Sequence, residues 1–280
     1  MKQFNGFWKN DIWIICFVIS VVFSSCMQSG KSKSKDSISS DSISVASVKE
    51  PVMQHASQIL AKKEIPVLCY HRIESGKTGA YTVSPTTFEN HMKVLSDSGY
   101  QTILPEALYQ YLVFNKSIPE KSVLITFDDS RVEHATLAAP IMEKYGFKGS
   151  FFIMTITYGK KNYMTTDQIK HLSESGHCIG LHTWDHTMVT KFKDSLDWAK
   201  QIEQPKKKLE AIVGKKIEFF AYPNGVFNQT AALELKKHFK ISFSLYSKRD
   251  SVCPLQTVRR LLATEISASQ LMKSIHRSYK

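Results

Sequence analysis

From residue 65 onward, short apolar runs alternate with amphipathic stretches. Runs at residues 66–70, 100–104, 123–127, 150–154, 178–181, 218–222 and 241–245 have the length and composition of strands, and 258–262 is a weaker eighth. Helix signals fall between them. Ser84-Pro85 supplies a cap and a first-turn proline, after which Phe88, Met92 and Leu95 line one face until Gly99 stops the segment. Thr165 and Gln168 have capping-box spacing ahead of Ile169 and Leu172, and Gly176 closes that helix. Strand and helix alternating this regularly predict a parallel α/β domain. No internal repeat is evident.

The first 58 residues follow a different pattern. Lys2 and Lys9 precede an apolar run at residues 12–23, too short to span a bilayer comfortably, which ends at Ser24-Ser25-Cys26. This predicts a signal peptide over residues 1–25 of the type found on bacterial lipoproteins, with Cys26 as the lipid-modified first residue. Ordinary secretory cleavage and an uncleaved membrane anchor are the alternatives. All three place the rest of the chain outside the cytoplasm, in the periplasm or at the cell surface. Residues 26–58 are dominated by Ser and Lys and cannot bury enough apolar surface to offset ordering entropy. They read as a flexible tether with a mean reach of roughly 30 Å, followed by a single domain over residues 59–280.

Bulk composition, 42% hydrophobic and 22% charged, is that of an ordinary globular protein. The net charge of +12 is spread over scattered lysines, and the densest run, Lys206-Lys207-Lys208, reads as a solvated helix face. Basic and aromatic residues do not interleave as in nucleic-acid binders, so neither nucleic acid nor an obligatory protein partner is expected. Cys69, Cys178 and Cys253 have no metal-ligand spacing and read as small buried hydrophobes, with one disulfide an unforced option.

Three strings carry chemistry. Thr126-Phe127-Asp128-Asp129 ends one apolar run, His182-Thr183-Trp184-Asp185-His186 follows another, and Tyr222-Pro223-Asn224-Gly225 follows a third. In parallel α/β folds the C-terminal strand ends form the functional face, so three strings on that face are unlikely to coincide by chance. Side chains alternate along extended backbone, so the two aspartates should point apart and serve two roles. Histidines four apart share one side if they occupy a helical turn. One Asp with two His can ligate a divalent metal, leaving the other Asp beside it as a base.

These strings resemble the polysaccharide deacetylase family, also called the NodB-homology or carbohydrate esterase family 4 domain. The similarity runs from about residue 65 to residue 262. It includes the passage from Tyr163-Met164-Thr165-Thr166-Asp167-Gln168 to Gly176-His177-Cys178-Ile179-Gly180. The resemblance implies a distorted (β/α) barrel of about seven parallel strands holding one divalent metal, zinc first, with cobalt or nickel as alternatives. Asp129, His182 and His186 would be its ligands and Asp128 the general base activating water on an acetamide. The backbone N–H of Asn224, after Pro223, would stabilise the oxyanion, with Tyr222 lining the same pocket. Of the aromatics near the motifs, Tyr70, Trp184 and Tyr222 are candidates to stack on a sugar ring, Trp184 first because it lies between the two histidines. The opening string Val67-Leu68-Cys69-Tyr70-His71-Arg72-Ile73 is similar to the circularly permuted branch, which includes deacetylases of β-1,6-linked N-acetylglucosamine polymers and which assigns the general acid to His71. Two positions depart from the pattern. Ser130 replaces the usual Gly after the Asp pair, and Ala221 stands where an Arg commonly orients the base, a role Arg259 or Arg260 would have to supply.

The expected function is removal of N-acetyl groups from an extracytoplasmic glycan, with acetate as product. The rival readings are a glycan-binding lipoprotein without turnover and an O-acetyl polysaccharide esterase. Amide and ester substrates need the same attacking and oxyanion groups.

Overall fold

The computed structural model describes residues 54–76 and 79–279, so the apolar run, Cys26 and most of the Ser/Lys-rich segment lie outside the described residues. Along the chain the strands are β1 (Val67–Tyr70), β2 (Arg72–Ile73), β3 (Thr82–Val83), β4 (Gln101–Thr102), β5 (Ser122–Phe127) and β6 (Ser150–Ile153). They continue as β7 (Cys178–Leu181), β8 (Phe219–Ala221), β9 (Ile241–Ser244), β10 (Val258–Arg259) and β11 (Leu261–Leu262). The main sheet runs in the order β10-β9-β8-β7-β6-β5-β1-β11, with β4 beside the start of β5. All its pairings are parallel. Since β10 and β11 are halves of one run split at Arg260, both ends of that order are the same stretch of chain, and the sheet closes on itself. The expected barrel forms, and the weak eighth candidate is the stave that closes it.

Two strand expectations shorten for local reasons. The run at 100–104 pairs only over Gln101–Thr102, because Pro105 opens the helix Pro105–Phe114 and holds Leu104 extended as its cap. The run at 258–262 breaks at Arg260, whose guanidinium turns into the barrel. Both helix starts form as expected. Ser84 Oγ accepts the N–H of Thr87 ahead of Pro85–Asp97, and Thr165 and Gln168 complete a capping box ahead of Thr166–Glu174. The helix Ala56–Ala61, with Ile59 buried, straddles the boundary expected at residue 59.

Strand alternation divides the core into two layers. Leu68, Tyr70, Ile125, Phe127, Phe151 and Phe220 face outward and pack beneath helices through Phe88, Met92, Leu95, Ile169 and Leu209. Val67, Leu124, Phe152, Phe219, Ile241, Phe243 and Val258 fill the barrel, whose lower end is covered by Leu108 and Leu112. Gly180 belongs to this inner series: a Cβ there would lie 2.5 Å from the Phe152 ring, so glycine makes room for the large side chain. Cys69, Cys178 and Cys253 are all free thiols.

Candidate active site

The inner series changes chemistry toward the C-terminal strand ends. The N–H of Asp128 donates to Tyr70 O at 3.1 Å, carrying the β1–β5 ladder one residue past Phe127. Asp128 therefore stays in register and points into the barrel, where it is 1% exposed. Asp129 breaks register, with φ of 74°, and turns the other way, as alternation predicts. Ser130 also adopts left-handed backbone, φ 57°, although glycine does so at lower cost. Its Oγ accepts the Met154 N–H at 2.7 Å, so serine keeps the turn and anchors it to the end of β6.

His182 follows β7, and its N–H donates to Ile153 O at 2.9 Å. Its Nδ1 donates to Ala221 O at 2.7 Å, which fixes the tautomer and leaves Nε2 as the free lone pair. Ala221, where the resemblance led to an expected Arg, thus contributes its backbone carbonyl. The stretch from His182 to His186 does not form a helical turn. Thr183 and His186 take φ of 62° and 72°, and Thr183 Oγ1 accepts the His186 N–H at 3.0 Å. This tight turn still brings the imidazole centroids to 5.0 Å.

Three donor atoms converge as a result. His182 Nε2 lies 3.5 Å and His186 Nε2 3.4 Å from Asp129 Oδ1. Asp129 Oδ1 and His182 Nε2 are buried without a hydrogen-bond partner, a costly state for two polar atoms unless something bridges them. All three side chains offer ligand atoms within 4.8 Å of one another. A mixed nitrogen and oxygen set suits a divalent ion such as zinc. Burial pushes the Asp129 carboxyl up, but the neighbouring His182 imidazole outweighs it and holds the group down at about 2.

Arg260 grips Asp128 from the closing stave. Its two terminal nitrogens donate to Oδ1 at 2.8 Å and to Oδ2 at 2.7 Å, a planar fork that fixes the carboxylate plane. Of the two arginines considered from sequence, this is the one that reaches the Asp; Arg259 pairs instead with Glu64. Burial alone would raise the Asp128 pKa, yet Arg260 and then His182 hold it well below the usual carboxylate range. Asp128 is consequently an ionised, oriented acceptor. His71 closes the group, with Nε2 3.9 Å from Asp128 Oδ2. Its own pKa is lowered by burial, against the opposing pull of Asp128. The Cys69 thiol, fully buried, donates to the same Oδ2 at 3.6 Å, a contact the sequence reading missed.

Not every expected residue reaches this site. Tyr222 is 0% exposed, its ring packed against Phe220 and Phe227, because its place at the end of β8 puts it on the outward series. Tyr70 is a core side chain for the same reason and meets His91 through its hydroxyl. The Trp184 ring lies under Lys200 Nζ at 4.6 Å. Pro223 is buried, while Asn224 is exposed with φ of 57° in the turn that follows β8. The aromatic beside the site is Tyr81, 53% exposed, with its ring 5.1 Å from that of His71. A cleft of about 350 Å³ opens at these donors and is lined by Asp129, His186, Arg72, Arg131, Lys160 and Tyr163 among others. Tyr81 and the cleft are brought in by loops whose return path no local pattern encodes.

A closed α/β barrel carries on its C-terminal rim three donor side chains that could hold a divalent ion, beside an arginine-held carboxylate, an arrangement suited to hydrolysis. Residues 115–239 match the polysaccharide deacetylase family. The poly-β-1,6-N-acetyl-D-glucosamine N-deacetylase of Staphylococcus aureus is 30% identical over 213 residues, covering 69% of this chain and 71% of that protein. The chain therefore belongs to the polysaccharide deacetylase family. YxkH of Bacillus subtilis, assigned to the same family, is 33% identical over 166 residues, and the match spans 59% of this chain and 58% of YxkH. Among solved structures, IcaB from Ammonifex degensii aligns with a TM-score of 0.65 at 28% identity, over 76% of this chain and 97% of that one.

Proposed function

We propose that this protein is a metal-dependent deacetylase that hydrolyses N-acetyl groups of an extracytoplasmic glycan of the N-acetylglucosamine type, releasing acetate. The observation that carries this reading is the convergence of Asp129, His182 and His186 beside an Asp128 locked by Arg260. The activity named for the S. aureus relative supports the choice of an N-acetylated glycan. Export and anchoring through Cys26 belong to the same proposal and are supported by the residues around that cysteine.

A divalent ion, zinc by our reading, held by Asp129, His182 and His186 would supply Lewis acidity to the acetyl carbonyl and to water. The remaining steps belong to the chain. Asp128 accepts the proton of the attacking water, its lone pairs aimed by the Arg260 fork. The backbone N–H of Asn224 stabilises the oxygen that gains charge. His71, with Nε2 3.9 Å from Asp128 Oδ2, takes up the proton that Asp128 has accepted from water and gives it to the departing sugar nitrogen, so that the C–N bond breaks to an amine and acetate. Tyr81 offers a ring face to the sugar. A binding protein without turnover drew its support from Ser130 and the missing motif arginine; the Arg260 fork on Asp128 and the Ser130 bond to Met154 weigh against that reading.

The test is acetate release from a panel of acetylated glycans by protein loaded with zinc, cobalt or nickel. Asp128→Asn should keep its metal and glycan affinity while losing turnover by about 10²- to 10⁴-fold. Equal glycan binding by wild type and Asp128→Asn, with no acetate from either, would sink the proposal.

A further inference from the structure

The turn after the Asp pair holds an imidazole for which the reaction above has no use. His134 is 0% exposed and opens the π-helical turn His134–Ala138. Its ring lies 5.2 Å from that of Phe127 and 6.2 Å from that of Phe151. Nε2 donates to the carbonyl of His71 at 2.5 Å, whereas Nδ1 has no partner. A carbonyl has no proton to give, so the ring proton sits on Nε2. Burial lowers the His134 pKa and favours this neutral form, since a second proton on Nδ1 would be a buried, unpaired donor.

The contact falls where the sheet stops helping. His71 lies one residue beyond β1, and the last ladder bond on this side is Asp128 N–H to Tyr70 O. The next carbonyl along, that of His71, is held by the His134 side chain. Two successive carbonyls thus tie the strand end bearing His71 to the segment bearing Asp128.

We infer that His134 is a positioning residue for the deacetylation reaction: it fixes the backbone of His71 so that this imidazole is held facing Asp128. The inference rests on His71 serving as the acid in the proposed function. A residue that merely fills space would be replaceable by any side chain of similar volume. A positioning donor would be replaceable only by one that puts N–H at the place of Nε2, which glutamine does and phenylalanine does not.

His134→Phe should therefore lower kcat by about ten- to a hundredfold with KM and metal stoichiometry unchanged, since small misplacements of reacting groups carry costs of that order. His134→Gln should stay within about threefold of wild type. In a His71→Ala background, His134→Phe should cause no further loss, because its effect passes through a group already gone. Crystals of His134→Phe should show the His71 ring displaced from Asp128, and His134→Met serves in its place if the phenylalanine variant does not fold. The inference is overturned if glutamine is as damaging as phenylalanine, if the losses from the two positions multiply, or if His71 is unmoved in the variant crystals. A wild type that releases no acetate from any glycan counts against the proposed function instead, and the position of His71 in the crystals still decides this question.

Discussion

At the lower end of the barrel the inward series reads Val67, Leu124, Phe219, Ile241 and Val258. At the upper end the same alternation presents Cys69, Thr126, Asp128, His182 and Arg260, every one of them at most 5% exposed. One end buries hydrocarbon, and the other buries charge and hydrogen-bonding atoms that need one another. Backbone strain follows the same division. Among the described residues, seven non-glycine positions have positive φ, and five of them, Asp129, Ser130, Thr183, His186 and Asn224, lie in the three motif turns. Unfavourable conformations persist only where surrounding structure over-determines them. The lower end, sealed by Leu108, Leu112 and the buried Tyr279, supplies that support. Stability and chemistry are thus assigned to opposite ends of the same staves.

The sharpest way to break this division is at the proposed metal ligands. His182→Ala removes a ligand without touching the apolar end, so acetate release should fall at least about 10³-fold. Bound metal, measured by elemental analysis, should fall with it while the far-UV spectrum stays native. A variant that keeps both metal and activity would remove His182 from the site. Arg260→Met should harm both ends of the comparison at once. It leaves a buried carboxylate without its partner, a loss of about 3–5 kcal/mol by analogy with other broken buried pairs, and it unlocks the base. The pH dependence should also change sign. In wild type the Asp128 pKa is depressed, so its contribution is present above the unfolded value of about 4 and is lost as pH falls through the folded value. In Arg260→Met, burial acts with less opposition and raises the Asp128 pKa, so stability should grow as pH falls. Thermal melts of both proteins from about pH 2 to 8 (an approximate window that reaches below the unfolded carboxylate value) would separate these signs. The converse substitution is Leu112→Ala, a side chain 3% exposed beneath the barrel. It should cost about 2–5 kcal/mol in urea unfolding and leave kcat unchanged.

What the sequence revealed divides along the same line. The staves were legible because each is a short apolar run, and the Asp and His motifs because they sit immediately past those runs. Local chemistry also announced both capped helices. Less legible was anything fixed by parity or by distant chain. Tyr70 and Tyr222 stand at the right strand ends, but one residue of alternation turns them outward into the helix layer. The choice between Arg259 and Arg260 is again one of parity, since only Arg260 faces the barrel interior. A helical turn was one way for His186 to join His182, whereas a tight turn with left-handed residues delivers it, and residue spacing does not distinguish the two. Cys69, Tyr81 and His134 carried no signal of their own. Each acquires its place from segments tens of residues away.

Ser130 offers the finest test of whether strain is stored at the upper end. Left-handed backbone costs a residue with a Cβ about 1–2 kcal/mol relative to glycine, and Ser130 has φ of 57°. In return its Oγ satisfies the N–H of Met154, a residue 7% exposed. Ser130→Ala keeps the strain and loses the bond, leaving a buried donor unpaired, and should cost about 1–3 kcal/mol. Ser130→Gly loses the same bond but releases the strain, so it should be the more stable of the two by about 1 kcal/mol. Because both variants forfeit the same contact, their difference in urea unfolding isolates the backbone term. If alanine proves as stable as glycine, the turn after the Asp pair is unstrained, and the contrast between the two ends of the barrel reduces to polarity alone.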